Sequence, residues 1–316
     1  MKIFLGIDGG GTGTRAVLVD TTGRVRGEGE SGAANYHNIG MNKAVANLLD
    51  ATNLARQAAG IKQPLDAAFL GCAGIKSGTD IARLKSAAET AGIGPTGEIV
   101  VANDLHNALA GGLSGRPGIA LIAGTGTNCL GRDASQRTFM CGGWGWLLDD
   151  RGGGFGLALA AFQAAARAAD GRAPKTRLLE AALAFLGLSE PNEMLARLYV
   201  EEWTPGELAG FAPVVVRCAG DGDKTAESIL KQGAEALAEL VAGTAKQLEF
   251  PKGPEVVLLG GCARSGPPYQ PMIEEAIQRR CKGARLINPE HSPAHGAALN
   301  ALRTGGISPL PKLTFI

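Results

Sequence analysis

The tetrapeptide Gly-Thr-Gly-Thr occurs twice in this chain, at Gly11–Thr14 and again at Gly124–Thr127. A short apolar segment precedes each copy and another follows it, and an aspartate, Asp20 or Asp133, comes at the same spacing after each. A repeat with this separation indicates a duplicated lobe rather than a solenoid of short units. The chain is therefore expected to contain two related lobes, each with strands on both sides of a glycine-rich turn.

The residue types of the two loops suit the binding of phosphate. Glycine lets a ligand approach the backbone N–H groups closely, and threonine adds hydroxyl donors. Only the first loop follows a carboxylate, Asp8, as expected of a residue that holds Mg²⁺ through water. Simple hairpin turns could contain the same residues, but the matched repetition favours phosphate. The predicted phosphate-binding residues are Gly10, Gly11, Thr12, Gly13, Thr14, Gly124, Thr125 and Gly126.

Other phosphate-binding motifs fit the chain less well. The P-loop pattern G-x-x-x-x-G-K-[ST] does not occur in the sequence. Gly9–Thr14 does not match the G-x-G-x-x-G fingerprint of a dinucleotide-binding fold, and the next apolar segment follows with no room for a helix. We therefore expect phosphate to bind between two β-turns rather than at the N-terminus of one helix.

Length, charge and cysteine content limit the class of protein. A chain of 316 residues is long for a single core, so two domains are expected. The formal net charge of +1 argues against a nucleic acid or an anionic membrane as a partner, and no apolar segment is long enough to span a bilayer. The six cysteines form no C-x-x-C pair, and the N-terminus lacks the pattern of a signal peptide. These features predict a cytoplasmic protein with reduced, buried thiols.

The hydrophobic periodicity predicts the same order of elements in both halves of the chain. Each half begins with three strands, after which helices and strands alternate, as in an α/β protein. The segment Ser114–Gly118 is rich in glycine and contains a proline, so it is a natural boundary. We assign residues 1–115 to an N-terminal lobe and residues 116–316 to a C-terminal lobe with a helical insertion at about 170–222.

Asp104 is the strongest candidate for a catalytic residue. It follows the apolar segment Ile99–Ala102 directly, and functional side chains of α/β proteins lie at the carboxyl edge of the sheet. A carboxylate there could accept the proton of a hydroxyl that attacks a phosphoryl group. The alternative is that Asp104 caps the following helix.

Further segments complete an ordered set of motifs. They are Asn35–Gly40, Val100–Asp104, Gly142–Gly145, Leu258–Gly261 and His295–Ala298. Together with the two Gly-Thr loops, they make the chain resemble the N-acetylglucosamine kinase / BadF-BadG-BcrA-BcrD-type ATPase family, within the actin, sugar kinase and Hsp70 superfamily. Each motif alone is weak, but their order along nearly the whole chain is specific.

The resemblance implies two actin-like (ribonuclease H-like) lobes, each a mixed five-stranded sheet flanked by helices, with ATP in a cleft between them. It implies an ATP- and Mg²⁺-dependent homodimeric kinase that phosphorylates N-acetylglucosamine or glucosamine at the 6-hydroxyl, with Asp104 as general base. Gly260 and Gly261 would contact adenosine, and the helix at 294–304 would pack back on the N-terminal lobe. The implied sugar-binding residues are Asn35, Ser77, Asp104, Gly126, Thr127, Trp144, Gly145 and Asp150.

One segment departs from the pattern of the family. Where the family commonly has Gly-Asp-Glu-Gly-Ser, this chain has Asp149, Asp150 and Arg151 followed by two glycines. The arginine reverses the charge of the glutamate, and it could bind an anionic substituent of the sugar or pair with Asp149. N-acetylmuramate or another hexose therefore stays open as the acceptor.

Two other functions are considered. The family also contains ATPases that activate 2-hydroxyacyl-CoA dehydratases or benzoyl-CoA reductase through an iron–sulfur cluster shared across a dimer, which needs thiolates at the surface. Cys129 and Cys141 lie in apolar strand contexts that do not favour such a cluster. A sugar-responsive repressor would carry a DNA-binding segment ahead of Asp8, where this chain has only a short strand. The zinc-binding Cys/His cluster of a sister sugar-kinase family is not found either.

Overall fold

The computed structural model describes residues 1–201 and 203–315, and the chain forms two compact units. Unit 1 comprises Met1–Arg116 and Asn288–Ile316, and unit 2 comprises Pro117–Ile287. The first boundary lies in the segment that the sequence indicated. The second boundary, after Ile287, groups the end of the chain with the N-terminal strands, whereas residues 116–316 were assigned to one lobe from which only the helix at 294–304 was expected to pack back on the N-terminal lobe.

Unit 1 is built on a mixed five-stranded sheet. Its strands are β1 (Ile3–Gly9), β2 (Thr14–Asp20), β3 (Val25–Ser31), β4 (Ala67–Cys72) and β5 (Ile99–Asn103). Its first helices are α1 (Tyr36–Ile39), α2 (Met41–Ala59), α3 (Gly78–Thr90) and α4 (Leu105–Gly112). The strand order is β3-β2-β1-β4-β5, and β1, β4 and β5 run parallel. The residues that follow these three strands therefore lie at one edge of the sheet.

The side chains of β1 alternate between the two faces of this sheet. Leu5 and Ile7 belong to a core that also contains residues of α2 and α3, whereas Phe4 belongs to a second core that contains a residue of α4. Because successive side chains of a strand point to opposite faces, Gly6 and Asp8 lie on the face of Phe4. Asp8 therefore ends its strand on the side of the sheet that α4 covers.

Unit 2 has a second mixed five-stranded sheet and more helices. Its strands are β6 (Gly118–Ala123), β7 (Thr127–Arg132), β8 (Thr138–Gly142), β9 (Glu255–Leu259) and β10 (Arg285–Ile287). Its helices are α5 (Gly154–Ala169), α6 (Arg177–Leu186), α7 (Glu193–Tyr199), α8 (Pro205–Ala209), α9 (Ala212–Gly220), α10 (Lys224–Lys246) and α11 (Tyr269–Arg280). None of the helices in the described part of the chain has the length and hydropathy needed to cross a membrane.

The two sheets have the same topology. The order β10-β9-β6-β7-β8 in unit 2 repeats the order of unit 1, with an antiparallel three-stranded meander followed by two parallel strands. The prediction of two mixed five-stranded sheets flanked by helices is confirmed. Both Gly-Thr loops connect the first strand of a sheet to the second, at equivalent places.

The two aspartates of the sequence repeat have a structural role. Asp20 ends β2, and its Oδ1 accepts hydrogen bonds from the Thr22 N–H (2.9 Å) and hydroxyl (2.6 Å). Asp133 follows β7, and its Oδ1 accepts one from the Arg137 N–H (3.1 Å). Each carboxylate thus stabilises the turn into the third strand of its sheet, which explains why the aspartate recurs at the same spacing.

The last helix, α12 (Pro293–Thr304), packs directly on the backbone of unit 1. A Cβ atom at Gly6 of β1 would lie 2.1 Å from the backbone nitrogen of Ala298 in α12. A Cβ atom at Gly296 of α12 would lie 2.0 Å from the carbonyl oxygen of Asn107 in α4. Glycine at both positions therefore lets α12 contact β1 and α4 without intervening side chains.

Gly6→Ala is expected to lower the free energy of unfolding by about 3 kcal/mol or more, because the new methyl group overlaps the rigid backbone of α12. Urea denaturation would measure this. Gly78→Ala is the matched control, since a methyl group there meets no atom within 4 Å at the first residue of α3. The control should unfold at the same urea concentration as the wild type or higher. Equal stability of both variants would contradict the close packing of α12.

Candidate active site

The first Gly-Thr loop connects β1 to β2, and its middle residues are open to ligand. The Gly10 N–H donates to the Gly13 carbonyl oxygen (2.8 Å) and closes the turn. Gly11 and Thr12 are exposed, and a methyl group at Gly11 would meet no atom within 4 Å. The Thr14 hydroxyl is buried instead and donates to the backbone carbonyl that follows β3 (2.7 Å). Thr12 is therefore the exposed threonine of this loop.

The second Gly-Thr loop, between β6 and β7, repeats this arrangement. The Gly124 N–H donates to the Gly126 carbonyl oxygen (3.0 Å), and Thr125 is exposed. The Gly124 and Thr125 carbonyl oxygens accept hydrogen bonds from the first two N–H groups of α5 (2.7 and 2.9 Å). None of the five glycines predicted to bind phosphate, all within the described ranges, has a positive φ. An unusual backbone conformation is therefore not the reason for glycine at these positions, and close approach of a ligand stays the prediction for them.

Asp8 and Asp104 bring two carboxylates together in unit 1. Asp8 is the last residue but one of β1, and Asp104 lies between β5 and α4 at the same edge of the sheet. Burial raises the pKa of Asp8 from 3.8 to about 6, and the negative charge of Asp104 adds to this effect. Burial also raises the pKa of Asp104. Burial therefore disfavours the ionised form of both carboxylates, and a bound cation would stabilise that form.

The residue before Asp104 provides a side-chain acceptor at the start of α4. The Asn103 Oδ1 accepts a hydrogen bond from the Leu105 N–H (3.0 Å) at the start of α4, and its Nδ2 donates to the Ile75 carbonyl oxygen (3.0 Å). The Asp104 side chain makes no capping hydrogen bond to the first turn of α4, all of which the structure describes. Asn103 thus accepts the hydrogen bond at the start of α4 that the sequence analysis considered for Asp104.

Asn107 is a residue of this site that the sequence did not indicate. It lies one turn after Asp104 on α4, is fully buried, and its Nδ2 donates to the Asp8 Oδ1 (2.8 Å). The spacing of Asp104 and Asn107 puts both on one side of the helix. This spacing was the feature of the sequence that could have indicated Asn107, but it is too common in helices to be specific.

Ser77, one of the predicted sugar-binding residues of unit 1, belongs to a hydrogen-bond network around Asp80. The Asp80 Oδ2 accepts hydrogen bonds from the N–H groups of Lys76 (3.1 Å) and Ser77 (2.8 Å) and from the Ser77 hydroxyl (2.8 Å). The Tyr36 hydroxyl donates to Oδ1. These donors, Tyr36 first, hold the pKa of Asp80 well below its usual range. Asp80 therefore fixes the segment of Ser77 against α1, whose N-cap is Asn35.

Asn35 and Ser77 thus both have roles in local structure. The Asn35 Oδ1 accepts a hydrogen bond from the His37 N–H (3.2 Å), and His37 Nε2 lies 3.1 Å from the Gly74 carbonyl oxygen. The Ser77 hydroxyl donates to Asp80 and caps α3. Ser77 is exposed and Asn35 is half-buried, and contact of either side chain with a sugar stays a prediction.

The predicted sugar-binding residues of unit 2 centre on Asp150. This residue is buried, has a φ of +64°, and its Oδ1 accepts hydrogen bonds from the N–H (2.7 Å) and hydroxyl (3.3 Å) of Thr127. A Cβ atom at Gly126 would lie 2.5 Å from Asp150 Oδ2, so the carboxylate packs on the second loop. Trp144 and Gly145 lie between β8 and this turn, and the Trp144 side chain is largely exposed.

Arg151 lies on the surface of unit 2. Its Nη2 is 3.5 Å from Glu239 Oε2 on α10, and 73% of its side chain is exposed. Of the two roles considered for this arginine, the ion pair is formed, but with Glu239 rather than Asp149.

A pocket of about 430 Å³ in unit 2 adjoins the second loop and the predicted adenosine motif. Its lining residues include Gly124, Thr125 and Gly261, and a methyl group at Gly261 would meet no atom within 4 Å. Gly260 does not line it but needs to be glycine, because its φ is +94° and a Cβ atom would lie 2.4 Å from the Ala123 carbonyl oxygen. The opposite wall was not predicted and comes from α8, α9 and the residues around them: Gly206, Ala209, Gly210, Ala212, Pro213 and Val216. In the sequence, the only indication of this wall was the small residues of the predicted helical insertion.

The residues present fit one Mg²⁺ ion bound mainly by a nucleotide. Within the described chain, no group of three or more His, Cys, Asp or Glu side chains could form a complete metal site. Mg²⁺ is usually bound through one or two carboxylates together with substrate phosphates and water. Asp8, with Asp104 beside it, supplies this donor set next to the first loop.

The sequence profile of the BadF/BadG/BcrA/BcrD ATPase family matches residues 5–301. The chain belongs to this family. It is 32% identical to the N-acetylmuramic acid/N-acetylglucosamine kinase of Clostridium acetobutylicum, covering 95% of this chain and 98% of that protein. It is 28% identical to the N-acetyl-D-glucosamine kinase of Dictyostelium discoideum, covering 96% and 98%. A crystal structure from Chromobacterium violaceum, described as a candidate N-acetylglucosamine kinase, has a TM-score of 0.73 at 27% identity, covering 95% and 98%.

For this member of the BadF/BadG/BcrA/BcrD family, Asp8→Asn is expected to stabilise the metal-free protein at alkaline pH. Because the pKa of Asp8 is raised to about 6 by folding, folding favours its protonated form, and that contribution is lost as the pH rises from 3.8 through 6. At pH 8 the variant should therefore gain up to about 3 kcal/mol in the free energy of unfolding. The gain should vanish near pH 4.

Urea unfolding in EDTA at both pH values would measure this difference. A gain of the same size at pH 4 and pH 8 would contradict a raised pKa for Asp8.

Proposed function

We propose that this protein is an ATP-dependent sugar kinase that transfers the γ-phosphoryl group to an amino sugar. The observation that carries the proposal is the pair of carboxylates, Asp8 and Asp104, at the edge of the unit 1 sheet beside an open Gly-Thr loop. A phosphate-binding loop, a metal-binding carboxylate and a second carboxylate that can act as a base are the parts that phosphoryl transfer requires. The names of the two curated relatives support the same reaction.

The unit 2 pocket supports binding of the nucleoside part of ATP. Its volume of about 430 Å³ is in the range of small-molecule sites. Ala209, Pro213 and Val216 give it apolar walls for a purine, and Gly261 allows close approach of the ligand to the backbone. We propose that phosphate oxygens bind next to this pocket at Gly124–Gly126.

The residues of unit 1 would bind and activate the reacting groups. The N–H groups of Gly11–Gly13 and the Thr12 hydroxyl would bind phosphate oxygens, while the Gly10 N–H is engaged by the Gly13 carbonyl oxygen. Asp8 would hold Mg²⁺. The ion, when bound, neutralises charge on the phosphoryl oxygens. The Asp104 carboxylate would accept the proton of the attacking hydroxyl, and its raised pKa makes it a better base than an exposed aspartate.

We propose N-acetylglucosamine, glucosamine or N-acetylmuramate as acceptor, with transfer to the 6-hydroxyl. The relatives' names support the N-acetylated sugars. Asn35 and Ser77 in unit 1, and Gly126, Thr127, Trp144, Gly145 and Asp150 in unit 2, are the residues proposed to contact the sugar. Because Asp150 Oδ1 is engaged by Thr127, its other oxygen is the atom available for a hydroxyl. A homodimer, expected from the family resemblance, stays a prediction for light scattering to test.

The alternative of an ATPase activator has less support from the cysteines. A cluster shared by two copies needs accessible thiolates. Cys129 is fully buried, its Sγ accepts a hydrogen bond from the Thr244 hydroxyl (3.3 Å), and burial raises the pKa of its thiol to about 12. Cys141 pairs across the strands with Cys129 and also has a raised pKa. These two thiols are packed against α10 and do not fit a surface cluster.

Asp104→Asn is expected to lower kcat for sugar phosphorylation on the order of a hundredfold or more, since the amide cannot accept the hydroxyl proton. ADP release would be measured with Mg²⁺-ATP and each of glucosamine, N-acetylglucosamine, N-acetylmuramate, N-acetylmannosamine and glucose, with a no-sugar blank. The affinity for ATP should change little. Asp50→Asn, which alters an exposed carboxylate of α2, is the control and should match the wild type.

Three results would contradict the proposal. Wild-type turnover in Asp104→Asn would exclude Asp104 as the base. Hydrolysis of ATP that is independent of every sugar would favour the activator function. No nucleotide turnover at all would contradict a kinase.

Arg151→Gln is expected to leave the order of preference among these sugars unchanged. Its guanidinium group is exposed and paired with Glu239, and exposed ion pairs contribute little. Values of kcat/KM for N-acetylglucosamine and N-acetylmuramate in both proteins would be compared. A selective loss with the anionic sugar would instead indicate that Arg151 binds its carboxylate.

A further inference from the structure

Asn107 is the most completely buried polar side chain next to the carboxylate pair. It has no exposed surface, although it belongs to a short helix whose first residue directly follows Asp104. Its Nδ2 group donates to the Asp8 Oδ1 (2.8 Å), the Gly71 carbonyl oxygen (3.0 Å) and the Ile7 carbonyl oxygen (3.2 Å). One amide group thus joins α4 to the ends of the neighbouring strands β1 and β4.

The orientation of the Asn107 amide is determined by these three oxygens. If the amide were turned over, its oxygen would face two carbonyl oxygens and a carboxylate, which is unfavourable. The observed orientation leaves Asn107 Oδ1 buried and without a hydrogen-bond partner in the described structure. Buried polar atoms without partners are rare and often occur at functional sites. Tight packing alone would be satisfied better by an apolar side chain such as leucine.

The strand beside β1 is adapted to this side chain. A Cβ atom at Gly71 of β4 would lie 2.2 Å from Asn107 Oδ1 and 2.3 Å from its Nδ2. Only glycine at position 71 therefore leaves room for the amide. Two residues from distant parts of the sequence, Gly71 and Asn107, are needed together to bring a hydrogen-bond donor to Asp8.

We propose that Asn107 is a positioning residue that fixes the Asp8 carboxylate for the metal–nucleotide complex. This inference rests on the proposed function, in which Asp8 holds Mg²⁺. The bond to Asp8 Oδ1 sets the rotation of the carboxylate and leaves Oδ2 as the oxygen for the ion. Because α4 carries both Asn107 and Asp104, one helix sets the positions of the metal-binding group and of the base. Partners that orient metal-binding carboxylates in this way have large effects on metal affinity.

The test compares the affinity for ADP with MgCl₂ and with EDTA, measured by calorimetry on the full chain. In the wild type, the ratio of the two affinities is the gain that Mg²⁺ provides. Asn107→Leu keeps a similar volume and removes the donor, and Asn107→Asp keeps the shape and replaces the donor by an acceptor. Both should reduce this gain on the order of tenfold, with the affinity for ADP in EDTA unchanged.

Asp66→Asn is the matched control. The Asp66 Oδ2 accepts a hydrogen bond from the Ile3 N–H (2.8 Å), so this change also weakens an anchor of β1, but at the opposite end of the strand from Asp8. The control should keep the full gain from Mg²⁺. An equal reduction in Asp66→Asn would assign the effect to general loosening of β1 and overturn the proposal.

The outcomes separate this inference from the proposed function. A wild type whose affinity for ADP does not depend on MgCl₂ would contradict the role of Asp8 itself. A wild type with a clear gain, retained in the folded Asn107 variants, would overturn the positioning role alone. If neither variant folds, the test uses the NMR signal of the Asn107 side-chain amide in ¹⁵N-asparagine-labelled wild type. This signal should shift when MgCl₂ is added to the ADP complex. An unchanged signal would overturn the proposal.

Discussion

The backbone contact of α12 with β1 and α4 is the constraint on which the unit 1 site depends. Gly6 and Gly296 allow this contact, and the second of them lies against the carbonyl of Asn107 itself. The position of α4 is therefore set by a helix from the far end of the chain. Since α4 begins directly after Asp104, the same contact sets the position of this carboxylate beside β1.

The site combines this rigid support with groups that are unfavourable for stability. Asp8 and Asp104 are close enough for the charge of one to raise the pKa of the other, and Asn107 keeps a buried oxygen without a partner in the described structure. A protein can keep such features when packing elsewhere over-determines the fold. In unit 1 that packing is supplied by two apolar cores, one on each face of the sheet.

The sequence predicted the parts of this protein that depend on local pattern. Periodicity and glycine-rich turns were enough for the order of the strands and helices, whereas the mixed five-stranded sheets were implied by the family resemblance. The positions of Asp8 and Asp104 at the ends of apolar strands were enough to indicate the carboxylate edge. The direction of the threonine side chains was not predicted, because Thr14 and Thr127 begin strands and turn inward to partners that lie far along the chain.

The roles of Asn103, Asn107 and Asp80 could not be predicted for a related reason. Each is defined by acceptors or donors on other elements, such as the Ile75 carbonyl for Asn103 and the Tyr36 hydroxyl for Asp80. The wall of the unit 2 pocket was missed because small residues in α8 and α9 have no distinctive spacing. Tertiary contacts, rather than local pattern, assign these functions.

The duplicated scaffold carries different chemistry in its two copies. The sheets share one strand order and the loops lie at equivalent places, yet unit 1 has Asp8 opposite Arg15 where unit 2 has Ile122 opposite Asn128. Unit 1 thus provides carboxylates and a buried amide, which suit a cation and proton transfer. Unit 2 provides an apolar pocket lined by small residues, which suits a flat, uncharged ring system. Duplication of one topology has therefore not duplicated its chemistry, because each copy has different residue types at equivalent places of its strands and loops.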